Sequence, residues 1–355
     1  MAFFGVTKEK IGEVVNHPNA DRLDIAKLEG MNFQFIVGRD QYKVGDDVVY
    51  FPIDSLIPPN VLARLGLVDR LAGKEKNRVK TVRLRGSISQ GIVSDHDTLA
   101  GMSSIDKTDE QITNLLGVTK YEPPVVPTTS GNLVKLPMGL SAYDIEGADR
   151  YTEAAELLMD QKVAISEKVE GMNFSAGYCA QTGKTFVNQR NYSIEEIEGK
   201  EHMFWRLVRE SGLLDYIEKF ALSNINIIIY GEFVGPGVQG NIYKLDKHRV
   251  YLFDVKINDN WQCPIGFTRE VSKMAESAKV GTTLEIVPLL AIDVTLREWL
   301  DGKTIQEASD GRSMIHDTKR EGIVIKPMLE QRNDELGGRL ILKQRSPLYL
   351  ANSKL

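Results

Sequence analysis

The stretch SEKVEGMN, Ser166 to Asn173, sets Lys168 two residues ahead of Glu170 and three ahead of Gly171, in a loop entered from the apolar run KVAI. A lysine in a surface ion pair does no chemistry, whereas an uncharged lysine amine is a nucleophile. At its reference pKa the side chain is almost wholly ammonium at neutral pH, and freeing the lone pair costs about 4 to 5 kcal/mol. A nucleophilic lysine therefore needs cationic neighbours. Lys326 in IVIKP, and Lys343 and Arg345 in LILKQRS, each end an apolar run and supply such neighbours if they face one cleft. Positive charge gathered there also holds a polyphosphate. Two carboxylates sit at strand ends as well: Glu232 closes IIIYGE and Glu321 opens EGIVIKP. Acids so placed accept hydrogen bonds from a ribose or hold a hydrated divalent ion.

A second group is electrostatic. In KEKNRVKTVRLRG, Lys74, Lys76, Arg78, Lys80, Arg83 and Arg85 crowd one short segment. Lysines on a strand edge discourage aggregation; the same cluster in a groove tracks a nucleic-acid backbone, and phosphate contacts position without specifying sequence. One motif is a decoy. GPGVQG, from Gly235 to Gly240, has the glycine spacing of a dinucleotide fingerprint, yet Pro236 interrupts it and RVYLFDV follows too soon for a crossover helix. It reads as a tight loop. No Walker A, HExxH or GxSxG sequence occurs, and the histidines are scattered without ligand spacing.

The elements that position these residues fall into two sets. Gly5 to about Val93 reads as short strands between turn clusters such as NHPNADR and GRDQYKVGDD, a small all-β domain in which Tyr42, Tyr50 and Phe51 are core. GVTKYEPPVVPTTSGN is the linker. Beyond it, strand-like runs KVAI, TFVNQ, NINIIIYGE, VYLFDVKI, GIVIKP and RLILKQR alternate with helical segments. HMFWRLVRESGLLDYIEKFAL places Phe204, Leu207, Val208, Leu214, Ile217 and Phe220 near one helical face. The expected class is α+β, an OB-type β-barrel followed by a domain of antiparallel sheets with flanking helices. The boundaries are 1–120, a linker over 121–140, and 141–355.

Composition agrees. At 355 residues with 42% hydrophobic content the chain supports two cores. A net charge of −5 excludes a protein that coats nucleic acid along its whole surface. Cys179 and Cys263 are too few for a disulfide framework and read as core residues, which points to a reducing, intracellular, cytoplasmic setting. No apolar run is long enough to span a bilayer.

Taken in order, EKVEGMN, VNQRN, YGEFVGPGVQ, YLFDV, EGIVIKP and LILKQRS resemble the motif series of the covalent nucleotidyltransferases, namely RNA ligases, DNA ligases and mRNA capping enzymes. The Glu before the lysine and the Asn five residues after it are similar to those of nick-sealing, ATP-dependent RNA ligases. HPNADRLDIAKLEG, YKVGDDVVYFPIDSLIP and VKTVRLRGSISQGIV look like the OB domain that precedes the catalytic domain in a small RNA ligase subfamily.

The resemblance implies roles. Lys168 attacks the α-phosphorus of ATP to give lysyl-AMP, Glu167 contacts the adenine amino group, and Glu170 and Gly171 complete the signature in the nucleotide site. Asn173 helps join the ends, Arg190 engages the phosphate of the RNA end, Glu232 holds the ribose, and Phe253 stacks on adenine. Glu321 orients waters on Mg2+ or Mn2+, Lys326 takes nucleotide phosphate, and Lys343 and Arg345 neutralise developing charge. The partner implied is RNA with 5′-phosphate and 3′-OH ends, a nicked duplex included, with no membrane and a monomeric enzyme. Two positions depart from the family pattern. Glu170 stands where many relatives have Asp, and Arg345 replaces the second lysine of the last motif, so only Lys343 can donate a proton there. Two further readings stay open: a DNA ligase or capping guanylyltransferase on the same scaffold, and a non-catalytic OB-type RNA-binding adaptor.

Overall fold

The computed structural model describes residues 3–95, 107–122, 131–137, 139–277 and 284–352. The linker expected over 121–140 lies partly outside them. Contacts divide the chain into one unit of Met1–Val125 with Ala148–Glu153 and Leu350–Lys354, and a second of Val126–Gly147 with Ala154–Tyr349.

In the first unit, five antiparallel strands run in the spatial order Gln34–Gly38, Leu23–Leu28, Thr7–Asn16, Asp47–Phe51, Ile92–Ser94. The long strand Thr7–Asn16 serves two neighbours. Thr7 to Lys10 pair with Tyr50 to Asp47, and after an irregularity between Ile11 and Glu13 the rest pairs with Leu23–Leu28. Such a bulge bends and twists a strand so that the sheet coils. The coil closes where Ile36 N donates to Ser89 Oγ at 3.0 Å, Gln34 Nε2 to Ile88 O at 2.9 Å and Gln90 N to Gln34 O at 2.8 Å. Alternating residues Ala26, Leu28, Phe35, Val37, Val48 and Tyr50 fill the inside. Tyr42, Tyr50 and Phe51 are buried, as their strand-like setting predicts.

Among the described residues the second unit holds two large sheets and a two-stranded one, Arg332–Asn333 with Gly338–Arg339. The larger, eight-stranded among the described residues, runs Gly131–Lys135, Tyr192–Glu196, Lys184–Gln189, Met172–Cys179, Ile227–Val234, Arg249–Ile257, Asn260–Trp261, with Leu284–Ile286 also on Arg249–Ile257. The smaller runs Glu146–Gly147, Leu342–Arg345, Gly322–Pro327, Lys162–Lys168, Leu289–Thr295. Two short pairings are parallel, Glu146–Gly147 with Leu342–Arg345 and Leu284–Ile286 with Arg249–Ile257; the others are antiparallel, as expected.

Helices pack on one face of the larger sheet, where Phe174, Val187, Ile229 and Phe233 meet Phe204, Leu207 and Ile217. The single helix expected over His202 to Leu222 is two, Met203–Glu210 and Leu213–Leu222. Gly212 is the break: its φ of 80° lies in the left-handed region, which ends one helix and re-aims the next. The stripe shifts accordingly, with Leu213, Tyr216 and Ile217 buried while Leu214 and Phe220 are only partly covered. GPGVQG is a turn, with Gly235 and Gly237 at φ 130° and 77°. Cys179 and Cys263 are free thiols, each half-buried rather than in the core. Among the described residues no helix is long and apolar enough to cross a membrane.

Candidate active site

Lys168 is the last residue of the strand Lys162–Lys168, not part of a loop. It lies opposite Gly322, which lies opposite Arg345; two residues along, Ser166, Val324 and Lys343 form the next row, and Ala164 faces Lys326. Residues two apart on a strand point to one face, so register puts Lys168, Lys326, Lys343 and Arg345 on the same face of the smaller sheet. Gly322 lets the strands approach. A Cβ there would stand 2.1 Å from Gln344 O and 2.8 Å from Arg345 Cα.

The direct partner of the amine is a carboxylate: Lys168 Nζ lies 2.7 Å from Glu321 Oε2, with side-chain exposures of 26% and 12%. The cations expected around the lysine share its face, Arg345 in the same row and Lys343 in the next, but the group in direct contact with the amine is Glu321. Burial, reinforced by Arg345 and Lys168 and opposed by Asp144, lowers the Lys343 amine from its ordinary value. Arg345 is half-buried, and among the described residues no ion pair or side-chain hydrogen bond engages its guanidinium.

The larger sheet faces these side chains. Glu232, opposite Asn173, is pushed up to about 8 by burial; Lys168 and Arg190 oppose this, while Glu321 and Glu170 add to it. Glu170 is buried, its Oε2 accepting from Tyr349 Oη and its backbone N–H donating to Tyr243 Oη at 2.8 Å. Burial raises its carboxyl too. Its extra methylene reaches the tail helix Pro347–Asn352. Gly171 has no room for a side chain, since a Cβ would lie 2.5 Å from Phe233 O. Glu167 is 1% exposed; Oε2 accepts from Met314 N at 2.9 Å, whereas Oε1 has no hydrogen bond among the described residues. An orphaned buried acceptor costs free energy until a donor meets it.

Phe253 reaches the site through a β-bulge. Tyr230 pairs with Asp254 and Gly231 with Leu252, so Phe253 opposes no residue. The extra residue turns both Phe253 and Asp254 away from the helical face. Asp254 is fully buried, and Lys326 Nζ at 2.7 Å and Arg339 Nη1 at 2.6 Å bind its two oxygens. Burial raises this carboxyl and those two cations outweigh it, so the net direction is down. Lys326 thus lies on the expected face but is held by Asp254. Arg190 donates to Asp144 Oδ2 at 2.8 Å. Asp144, Tyr143, Arg339 and Tyr349 belong to none of the six motifs, and nothing local marks them; Asp254, inside YLFDV, was within reach.

The OB cluster divides. Lys74, Lys76, Arg83 and Arg85 are exposed and Lys80 half-buried. Burial and then Arg78 lower the Lys80 amine. Arg78 is not a surface cation: Nη2 lies 2.7 Å from Asp54 Oδ1, and the guanidinium sits 3.5 Å from the centroid of Tyr121. Arg83 lies on the exposed strand of a hairpin, Val82–Leu84 with Ser87–Ser89, and Arg85 in its turn.

Comparison with known proteins adds the family. An RNA ligase model matches residues 161–344 and an OB-fold domain model matches residues 5–95. No curated protein matches in sequence. Among solved structures, the Naegleria gruberi RNA ligase with PPi superposes with a TM-score of 0.80 at 26% identity over 98% of each chain. An arginine mutant of that ligase with ATP and Mn gives 0.79 at 26%, again over 98% of each chain. A lysine-to-methionine mutant with AMP and Mn gives 0.79 at 27% over the same share. With the matched residues spanning both sheets that carry Lys168, Glu232, Glu321 and Lys343, the chain belongs to the RNA ligase family.

Proposed function

We propose that this chain joins RNA ends in an ATP-dependent reaction through a lysyl-AMP intermediate, with Lys168 as nucleophile. The observation that carries the reading is the register that sets Lys168, Lys343 and Arg345 on one face, beside Glu321 and opposite Glu232. The Naegleria ligase structures hold ATP, AMP and PPi, which are the donor, the transferred group and the leaving group of that chemistry.

Lys168 Nζ attacks the α-phosphorus, a P–N bond forms, the bond to the β-phosphate oxygen breaks, and pyrophosphate leaves as the amine loses its proton. A 5′-phosphate oxygen of RNA then attacks the same phosphorus, the P–N bond breaks, and the lysine regains a proton. Finally the 3′-hydroxyl oxygen attacks the 5′-phosphorus and gives up its proton to solvent, the P–O bond to the adenylate breaks, and AMP leaves. Phosphoryl transfer asks chiefly for alignment and charge stabilisation. Lys343 and Arg345 supply charge, Phe253 stacks the base, and Glu167 Oε1 accepts the adenine amino group. Asn173 positions the ends, and Arg190 meets the RNA phosphate. Lys326 contributes through the Asp254 network.

A hard divalent ion, Mg2+ or Mn2+, fits as a partly hydrated ion. Among the described residues no group of three or more His, Cys, Asp or Glu forms a cage, and such ions bind through one or two carboxylates with water and phosphate. Glu321 would hold it through water, while Glu232 accepts the ribose hydroxyl, and the ion would supply charge neutralisation and alignment there. The substrate we assign is RNA with 5′-phosphate and 3′-OH ends in a nicked duplex, bound by a monomer. Residues 1–120 grip RNA and 141–355 carry the chemistry.

Incubation with α-labelled ATP and Mg2+, a denaturing gel and peptide mapping test this. Label on Lys168 supports the reading. Transfer from GTP instead would identify a capping enzyme, and RNA binding without an adduct would leave an adaptor.

A further inference from the structure

Arg190 and Lys343, to which the reading above gives phosphate, share one carboxylate. Arg190 Nη2 lies 2.8 Å from Asp144 Oδ2, and Lys343 Nζ lies 3.4 Å from Asp144 Oδ1. Arg190 follows a strand of the larger sheet and Lys343 belongs to the smaller one, so a single anion spans cations from both. The carboxylate is held in place. Tyr143 before it has its ring centroid 5.0 Å from those of Tyr230 and Phe253, and its Oη donates to Asp254 Oδ2 at 2.8 Å. Asp254 is itself fixed by Lys326 and Arg339. Asp144 Oδ1 also accepts the backbone N–H of Ile145 at 3.1 Å.

We propose that Asp144 is an internal stand-in for phosphate: it occupies Arg190 and Lys343 in the ligand-free chain, yields them to a substrate phosphate, and re-engages them as pyrophosphate leaves. This rests on the reading of the Lys168 site given above. Asp144 offsets the repulsion that Arg345 and Lys168 exert on Lys343 on a half-buried face. A phosphate offers the same donors more acceptor oxygens and more charge than a carboxylate, so it displaces Asp144 from Lys343, where the separation is long. The consequence is weaker phosphate affinity and faster product release. A purely positioning role has the opposite sign, because an aspartate that only orients the two cations strengthens phosphate binding.

The test is calorimetric titration of the full chain with inorganic pyrophosphate and Mg2+, together with the ATP dependence of adduct formation. Asp144→Asn should bind pyrophosphate roughly two- to fivefold more tightly, the size expected for one partly screened charge pair, and show a lower KM for ATP with slower multiple turnover. Tyr143→Phe keeps the ring and loses the bond to Asp254; it should move the same quantities in the same direction by less, and it serves if Asp144→Asn folds poorly. Unchanged or weaker pyrophosphate binding in both variants, with labelling of Lys168 intact, overturns this inference alone. A wild-type chain that takes no label from ATP overturns the site reading and this inference with it.

Discussion

Lys168 Nζ and Glu321 Oε2 lie 2.7 Å apart although 153 residues separate them in sequence, because Lys168 pairs with Gly322 across neighbouring strands. The proposed nucleophile is thus paired with the acid that the family resemblance gives to the metal. On the proposed reading, attack requires that Glu321 release the amine. Lys168→Ala should abolish the covalent adenylate while leaving the melting temperature within a few degrees. Glu321→Gln should slow adduct formation by roughly 10²-fold or more, the usual loss when a charge-organising group is removed from a reacting centre. Rapid-quench labelling with ATP measures both. A Glu321→Gln chain as fast as wild type would remove this acid from the chemistry.

The Glu232 carboxyl, pushed up to about 8 by burial, links stability to pH. Its folded-state value lies above the ordinary 4.5, so between about 4.5 and about 8 the folded chain binds more protons than the unfolded one. Stability from this group is full below that window and is lost as pH rises through it. Glu167 and Glu170, raised by the same cause, add the same sign. In urea denaturation at pH 5.5, 7 and 8.5, Glu232→Gln should lose less stability than wild type over that range. Parallel curves would mean that the carboxyl titrates normally.

Gly322 is a test of register. A methyl group there meets Gln344 O at 2.1 Å and Arg345 Cα at 2.8 Å, both backbone, so the strands must part. Gly322→Ala should cost about 1 to 3 kcal/mol and lower adduct formation with it, since Lys343 and Arg345 ride on the displaced strand. Thermal denaturation and adenylate labelling on one preparation check the pair. Lower stability with full labelling speed would show that those cations need no such placement.

Arg78 and the hairpin arginines should behave oppositely. Arg78→Ala leaves Asp54 without its guanidinium and Tyr121 without its stacked cation. It should destabilise the first unit by about 2 kcal/mol. Arg83 and Arg85 are exposed. Their double alanine variant should keep its stability, weaken RNA sealing, and flatten the slope of log affinity against log salt by roughly one for each RNA phosphate that is no longer neutralised. Equal effects on adenylylation and on sealing would exclude an RNA-gripping role for the hairpin.

The amino-acid sequence alone determined which residues are candidates for chemistry. Lys168, Glu232, Glu321, Lys343 and Arg345 stand out because each borders a short apolar run, a local pattern that survives without any knowledge of the fold. The barrel and the sheet-rich domain were legible for the same reason, as alternation and turn residues act over a few positions. What only tertiary structure decided was partnership. That Lys168 meets Glu321, that Lys326 and Arg339 converge on Asp254, and that Tyr349 reaches Glu170 depend on pairings between residues tens to hundreds of positions apart. The helix break at Gly212 and the bulge at Phe253 are similar. Each depends on one residue's backbone angle or one unmatched strand position, which periodicity averages away. Arg78 shows the limit most simply: six cations in a row look alike as letters, and only packing against Asp54 and Tyr121 turns one of them inward.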